Sequence, residues 1–212
     1  MRTTARRERE RENTRTLIVE AARDLVSEHG LDALSMRMIA ERIEYSPATI
    51  YLYFRDKEEL LREVVKEGFE RMRESVAREL TALGETANAA DQYGAMGLAY
   101  ARFALEHPAY FRVMFELPRV ARLDTPCRVA GAGAGLESAV EMVRRAAEAG
   151  LIGTRDARRT ALIGWGLIHG LTSLYLSGHL TGEVSSREDF LALVGEALRT
   201  IDEGWKPGSR EA

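Results

Sequence analysis

Three helix starts fall within residues 31–61, LDALSMRMIAERIEYSPATIYLYFRDKEELL, and so dense a set leaves little freedom for the fold around it. Ser35 can cap a first-turn amide ahead of Met36, Ile39, Ala40 and Ile43, which recur at helical spacing. Ser46 is a second cap, and Pro47 follows at the first helical position, where a missing N–H costs nothing and the fixed φ is already helical. Ile50 and Phe54 give this second helix a narrow apolar stripe. Asp56 with Glu59 reads as a capping box opening a third helix that carries Leu60, Leu61, Val64 and Val65. The link Glu44, Tyr45, Ser46 between the first two helices has the length a helix-turn-helix needs.

Along the same stretch, Ile39, Ala40, Ser46, Thr49, Tyr51, Tyr53, Phe54, Lys57, Glu58 and Leu60 stand in one ordered pattern. It runs isoleucine-alanine, a short turn, a serine-led helix, tyrosine-x-tyrosine-phenylalanine, then a lysine-glutamate pair and leucines. In this the chain resembles the TetR family of one-component transcription regulators. The family's turn usually holds a small residue, a glycine and a small apolar residue, where this chain has Ile43, Glu44 and Tyr45. A non-glycine residue in the left-handed conformation costs roughly 1–2 kcal/mol, so the turn is expected to carry that cost or to change shape.

At 212 residues the chain is long enough for one or two domains, and 45% hydrophobic content supplies a real core. No apolar run approaches the roughly 18 residues of a membrane span, and no signal-peptide core follows the charged N-terminus, so a cytoplasmic protein without a membrane partner is expected. Cys127 is the single cysteine, which excludes an internal disulfide and fits a reducing compartment. The net charge of −3 is uneven: residues 1–57 hold 11 Lys+Arg against 10 Asp+Glu, the remainder 19 against 23. Bulk charge therefore does not point to nucleic acid; a few well-placed cations and amides would have to supply the phosphate contacts.

Residues 1–13 alternate arginines (Arg2, Arg6, Arg7, Arg9, Arg11) with Glu8, Glu10 and Glu12, and Arg15 follows. Composition reads them as a solvated, disordered tail; the alternative is an arginine-bearing arm reaching the minor groove, against which the three glutamates argue. A first helix is expected over 14–29, closed by Gly30, and the small core is assigned to Leu17, Ile18, Ala22, Leu25, Ile39, Ile43, Ile50, Phe54 and Leu61. From Leu61 through Val65, Phe69, Met72, Val76 and Leu80 to Leu83 the apolar spacing predicts one long helix joining the helix-turn-helix to the rest. Further helices are expected around Met96, Tyr100, Phe103 and Ala104, over 136–149 closed by Gly150, after a Thr154 cap, and after a Ser185–Glu188 capping box, and a short aromatic segment, AYFRVMFEL, ends at Pro118. Residues 125–135 read as loop. No segment alternates like a strand, so the chain is expected to be all-α with about nine helices. The boundaries expected are 1–57 for a three-helix DNA-binding domain, including an arm at 1–13, and 58–212 for a helical bundle that binds effector and dimerises.

Residues 107–115 (HPAYFRVMF) and 165–170 (WGLIHG) resemble a TetR subgroup whose C-terminal domain is named for a tryptophan, a histidine and a glycine, here Trp165, His169 and Gly170. The two resemblances imply double-stranded DNA with a palindromic operator, a homodimer and a small-molecule effector as partners, with no cofactor. The recognition helix, Pro47, Ala48, Thr49, Tyr51, Leu52 and Tyr53, lacks the Arg, Lys, Asn and Gln that make bidentate base contacts. Ala48 and Thr49 are therefore expected at thymine methyls or base edges and Arg37 at a guanine. Ser35, Ser46, Tyr51, Tyr53 and Lys57 are expected on phosphates. Tyr51 and Tyr53 have packing as the alternative.

Gly164, Gly166 and Gly170 sit inside an apolar helix, each costing roughly 0.5–1 kcal/mol against alanine, and close approach of another helix would offset that. The family implies dimerisation through its last two helices, here about 155–177 and 186–202. Gly166, Gly170, Ser173, Ser177, Leu191, Val194 and Leu198 are the expected contact face. Tyr100, Phe103, Tyr110, Phe111, Met114, Phe115, Trp165 and His169 are either ordinary core or the lining of an effector pocket with His169 as its polar handle.

Enzyme chemistry finds little support. The GAGAG glycines Gly131, Gly133 and Gly135 have no strand before them, and His29, His107, His169, His179 and Cys127 show no metal-ligand spacing. The expectation is a DNA-binding transcription regulator, with effector-released repression implied by the family. A constitutive or architectural DNA binder, or an all-helical enzyme or partner-binding module, are the alternatives.

Overall fold

The computed structural model describes residues 2–84, 86–115, 132–154 and 156–204. Cys127 and most of the loop expected over 125–135 lie outside the described residues. Those that are described form nine helices and no strand: α1 (Arg2–His29), α2 (Met36–Arg42), α3 (Pro47–Tyr51), α4 (Lys57–Leu83), α5 (Ala89–Glu106), α6 (Pro108–Phe115), α7 (Ala132–Glu148), α8 (Ala157–Leu176) and α9 (Arg187–Gly204). The chain divides into two compact units, Met1–Phe69 with Pro108–Val129 and Glu70–His107 with Ala130–Ala212.

In the first unit, α1 buries Ile18, Ala21, Ala22, Leu25 and Val26, a stripe at i, i+3, i+4, i+7 and i+8. Leu17, expected in the core, lies off that stripe and is 45% exposed. Ile43 is only half-buried. Gly30 ends α1 at φ +80. Its amide closes on the Val26 carbonyl at 2.9 Å. The other end departs from expectation, since α1 begins at Arg2 and not near Thr14. Arg-to-Glu spacing of four supports a solvent-exposed helix, as Arg6 to Glu10 does at 2.7 Å.

Two further elements close this unit. The α6 aromatics pack on α1 and the start of α4: Tyr110 and Phe111 are buried, and Phe115 meets Phe69 edge-on at 5.9 Å and Phe111 at 5.1 Å. Gly68 of α4 lies under Met114 and Tyr110, where a methyl group would collide, so the glycine is a requirement of close approach. Arg23 stacks over the Tyr110 ring at 5.0 Å and donates to its hydroxyl at 3.3 Å.

In the second unit, Tyr93 of α5, Ala139, Met142, Val143 and Ala146 of α7, and Ile152 and Ala161 form one apolar cluster. Phe190, Val194 and Leu198 of α9 are buried, with Leu198 filling the space above Gly97 of α5 and Phe190 stacked on Tyr175 at 4.3 Å. Two expected caps shift. Asp156, not Thr154, caps α8 by accepting from the Arg159 amide at 2.9 Å, while Thr154 accepts from the Asp156 amide. Ser186, not Ser185, accepts from the Asp189 amide at 3.0 Å at the start of α9. In both cases the residue adjacent to the helix is itself a good cap, and the nearer one wins. Gly133 and Gly135 belong to α7 and not to a loop.

Candidate nucleic-acid interface

Helices α2 and α3 are each set by a serine. The Ser35 hydroxyl accepts from the Met38 amide and the Ser46 hydroxyl from the Thr49 amide, both at 3.2 Å, and Pro47 sits in the first turn of α3. Between them the chain keeps the turn geometry with Glu44 at φ 59. The Tyr45 amide returns to the Ala40 carbonyl at 2.9 Å and the Glu44 amide to the Glu41 carbonyl at 3.3 Å, which is the Schellman pair of hydrogen bonds. Of the two outcomes the sequence left open, the turn holds its shape and Glu44 carries the conformational cost. Arg42 adds a bidentate pair to Glu28, at 3.1 and 2.7 Å, tying α2 to the end of α1. That guanidinium holds the Glu28 carboxyl below the usual glutamate range.

Beneath α3, Ile50 and Phe54 are fully buried, and the Phe54 amide still reaches the Ile50 carbonyl at 3.1 Å. Arg15 lies over the Phe54 ring at 5.0 Å and pairs with Glu63 at 3.1 Å. Burial pushes the Glu63 carboxyl up, but the hydrogen bond and charge of Arg15, with Lys66, more than offset this and leave it lowered. With its anchors spent inward, α3 turns the rest outward: Ser46, Pro47 and Ala48 are exposed, Tyr51 is 55% and Leu52 75% exposed, and Thr49 and Tyr53 are half-buried. The Thr49 hydroxyl is 2.9 Å from that of Ser46, so both oxygens sit together at the outer edge.

The cations divide. Arg37 is exposed on α2 with its Nε on Glu41 at 2.8 Å, an exposed pair that exchanges partners at little cost. Lys57 is half-buried, and its ammonium donates to the carbonyls of Leu31 at 3.3 Å and Leu34 at 3.1 Å, closing the loop after α1. Asp56 caps α4 through the Glu59 amide at 2.7 Å, and Glu59 returns to the Arg55 amide at 2.7 Å.

The other expected sites separate into local groups. Tyr110, Phe111, Met114 and Phe115 are the α6 packing of the first unit. In the second unit the Tyr100 hydroxyl lies 2.7 Å from His169 Nδ1, with the Trp165 and His169 rings 6.1 Å apart and Phe103 fully buried. Burial pushes the Tyr100 hydroxyl up, against a hydrogen bond from Trp165. The other ring nitrogen of His169, Nε2, faces Ser173 Oγ at 3.5 Å.

On α8, Gly164 is explained within the unit, because a methyl group there would strike the Tyr93 hydroxyl. Gly166 and Gly170 face open space. Val194 and Leu198 are spent on the chain's own core, Leu191 and Ser173 are half-buried, and Ser177 is exposed at the α8 C-terminus. Sequence reasoning passed over Ile163 (54% exposed), Leu167 and Leu174, which flank the two glycines at helical spacing. The signal was present: α8 is apolar on every side, more than a surface helix needs.

Two stretches of the chain match known families. Residues 18–64 match the model of bacterial regulatory proteins of the tetR family, and residues 94–198 match that of the tetracyclin repressor-like C-terminal domain. The HTH-type transcriptional regulator UidR of Escherichia coli K12 is 39% identical over 62 residues, 29% of this chain and 32% of that protein. The chain thus matches about a third of the length of such curated relatives. A protein of unknown function from Rhodococcus sp. RHA1 superposes with a TM-score of 0.70 at 26% identity, covering 91% of this chain and 95% of that one. The TetR family transcriptional regulator PfmR from Thermus thermophilus does so at 0.69 and 21% identity, covering 90% and 99%, a likeness of fold alone.

Proposed function

The chain belongs to the tetR family of bacterial regulatory proteins, and from that premise we propose that it is a DNA-binding transcription regulator whose α3 reads a major groove. The observation that carries this is the outward face of α3: a capped helix with only Ile50 buried, presenting Ala48, Thr49, Tyr51 and Leu52 to solvent. Small and apolar groups there suit thymine methyls, and Arg37 supplies the guanine contact from α2. Ser35, Ser46, Pro47, Tyr51 and Tyr53 position the backbone of the duplex. Residues 1–57 form the DNA-reading domain and 58–212 the effector and dimerisation domain in this functional division, with a tryptophan-histidine-glycine type of C-terminal region.

One short helix reads too few bases, so two copies act on a palindromic operator. The exposed face Ile163, Gly166, Leu167, Gly170 and Leu174 of α8 suits a second copy of itself, the glycines letting the backbones approach. Repression is released when a small apolar molecule enters the C-terminal domain near Tyr100, Trp165 and His169; a coupling of about 1–3 kcal/mol is typical of such switches. The protein acts in the cytoplasm; among the described residues no helix is long and apolar enough to cross a membrane.

Selection of binding sites from random duplexes tests the reading. Recovery of an inverted repeat, with recognition lost in Thr49→Ala and Arg37→Ala but a dimer retained in sedimentation, is the expected result. Failure of the protein to enrich any sequence at low salt refutes it.

A further inference from the structure

Apart from Arg15 over the Phe54 ring, no described α1 side chain ahead of Ile18 is buried in the core, yet these residues are ordered into helix and face the end of α3. An open groove of about 830 Å³ lies between them, with Arg7, Arg11, Asn13 and Thr14 on one wall and Tyr45 and Tyr53 on the other. Leu17 and Leu52, exposed and unexplained by packing, line it too. Arg7, Arg11 and Thr14 are spaced by four and three, so one face of α1 carries them.

Arg7 and Arg11 against Glu10 leave the groove lining with a formal charge of +1. Glu10 borders it but is paired with Arg6 at 2.7 Å. Glu8 and Glu12 do not line it. Arg7 and Arg11 make no ion pair among the described residues, so the groove presents two guanidinium groups, the Asn13 amide and two tyrosines against one carboxylate, Glu10, which is engaged by Arg6. Those are phosphate-binding groups, and the two leucines match the apolar edge of a deoxyribose. About 6 Å of helix rise separates Arg7 from Arg11. One DNA strand carries a phosphate for every 3.4 Å or so of axis, so two phosphates fall within reach.

The helical state also decides what the extension cannot do. A helix with side chains is about 10–12 Å across, whereas the minor groove is about 6 Å wide. An extended arm could enter it; this helix is too thick.

We propose that the groove between the α1 extension and α3 seats one sugar-phosphate strand flanking the segment read by α3, as a sequence-independent clamp. This rests on the DNA-binding reading above. Each dimer then adds four arginine-phosphate contacts without adding base preference.

The test uses the full chain and a duplex selected by the wild-type protein, with flanks of random sequence. Anisotropy titrations between about 50 and 200 mM salt should give the double variant Arg7→Gln, Arg11→Gln a log-log salt slope lower by about 3 to 4. Its affinity should fall more than tenfold, with base preference unchanged and hydroxyl-radical protection of the flank lost. Arg7→Lys with Arg11→Lys should keep most of the slope, and Arg9→Gln, off the groove, should match wild type. An unchanged slope and footprint in the double variant, with selection intact, overturns the clamp and leaves the α3 reading standing. An equal loss from Arg9→Gln also overturns it, because diffuse charge would then suffice. No binding by wild type removes both.

Discussion

Helices α3 and α8 hold their places by opposite means. Only Ile50 of the five α3 residues is buried, and the helix depends on its Ser46 cap, its proline and the Ile50–Phe54 pair beneath. In the twenty residues of α8, Thr160, Ala161, Gly164, Ile168 and Thr172 are buried, yet large aliphatic side chains remain outside. The exposed groups differ accordingly: hydroxyls, a methyl and aromatic edges on α3, with Leu52 at its C-terminal cap as its one large aliphatic, and Ile163, Leu167 and Leu174 together on α8. A surface meant for a polar groove is cheap to leave in water, whereas a surface of aliphatics gains stability only when covered.

The comparison breaks most visibly at Phe54. Phe54→Ala should cost about 3–5 kcal/mol, enough to unfold the first unit, read as loss of cooperative melting. If that unit melts unchanged, α3 is not held from below. Next is the aliphatic face of α8. Ile163→Asp should weaken self-association by at least about 2 kcal/mol, seen as monomer in sedimentation at micromolar concentration with helical content intact. A persistent dimer would place the interface elsewhere. Ser46→Ala removes the α3 cap and should cost about 1 kcal/mol, measured by denaturant midpoint, with a larger loss in operator binding than in stability.

The smallest effect is electrostatic. Glu63 is lowered in the folded state, so its contribution is present above the unfolded value near 4.3 and is lost as pH falls through the lower folded value. Glu63→Gln should therefore flatten the acid side of the stability curve slightly and leave neutral pH less stable than wild type.

What could be read from sequence was what is settled locally. Ser35, Ser46-Pro47, Asp56 and Gly30 each act on amides or carbonyls within four residues, so their types at those positions suffice. Leu17 and the pair Val194 and Leu198 were misplaced because facing depends on what lies opposite: Ile18 to Val26 define the α1 stripe without Leu17, and Gly97 receives Leu198. The α1 extension was missed for another reason. It has no apolar stripe, so composition read it as a tail, although the Arg6–Glu10 spacing already supported a helix. That Lys57 also meets the Leu31 and Leu34 carbonyls was not legible, because no local rule shows them converging on it.

Glu44 has one more implication. Held at φ 59 and exposed just ahead of the recognition helix, it is unfavourable twice: a side chain where a glycine would relax, and a carboxylate facing an approaching polyanion. Stabilising changes at working surfaces usually sacrifice function. Glu44→Gly should be an exception, raising the melting temperature and the operator affinity together, which makes this turn a natural place from which to tune how firmly the regulator grips.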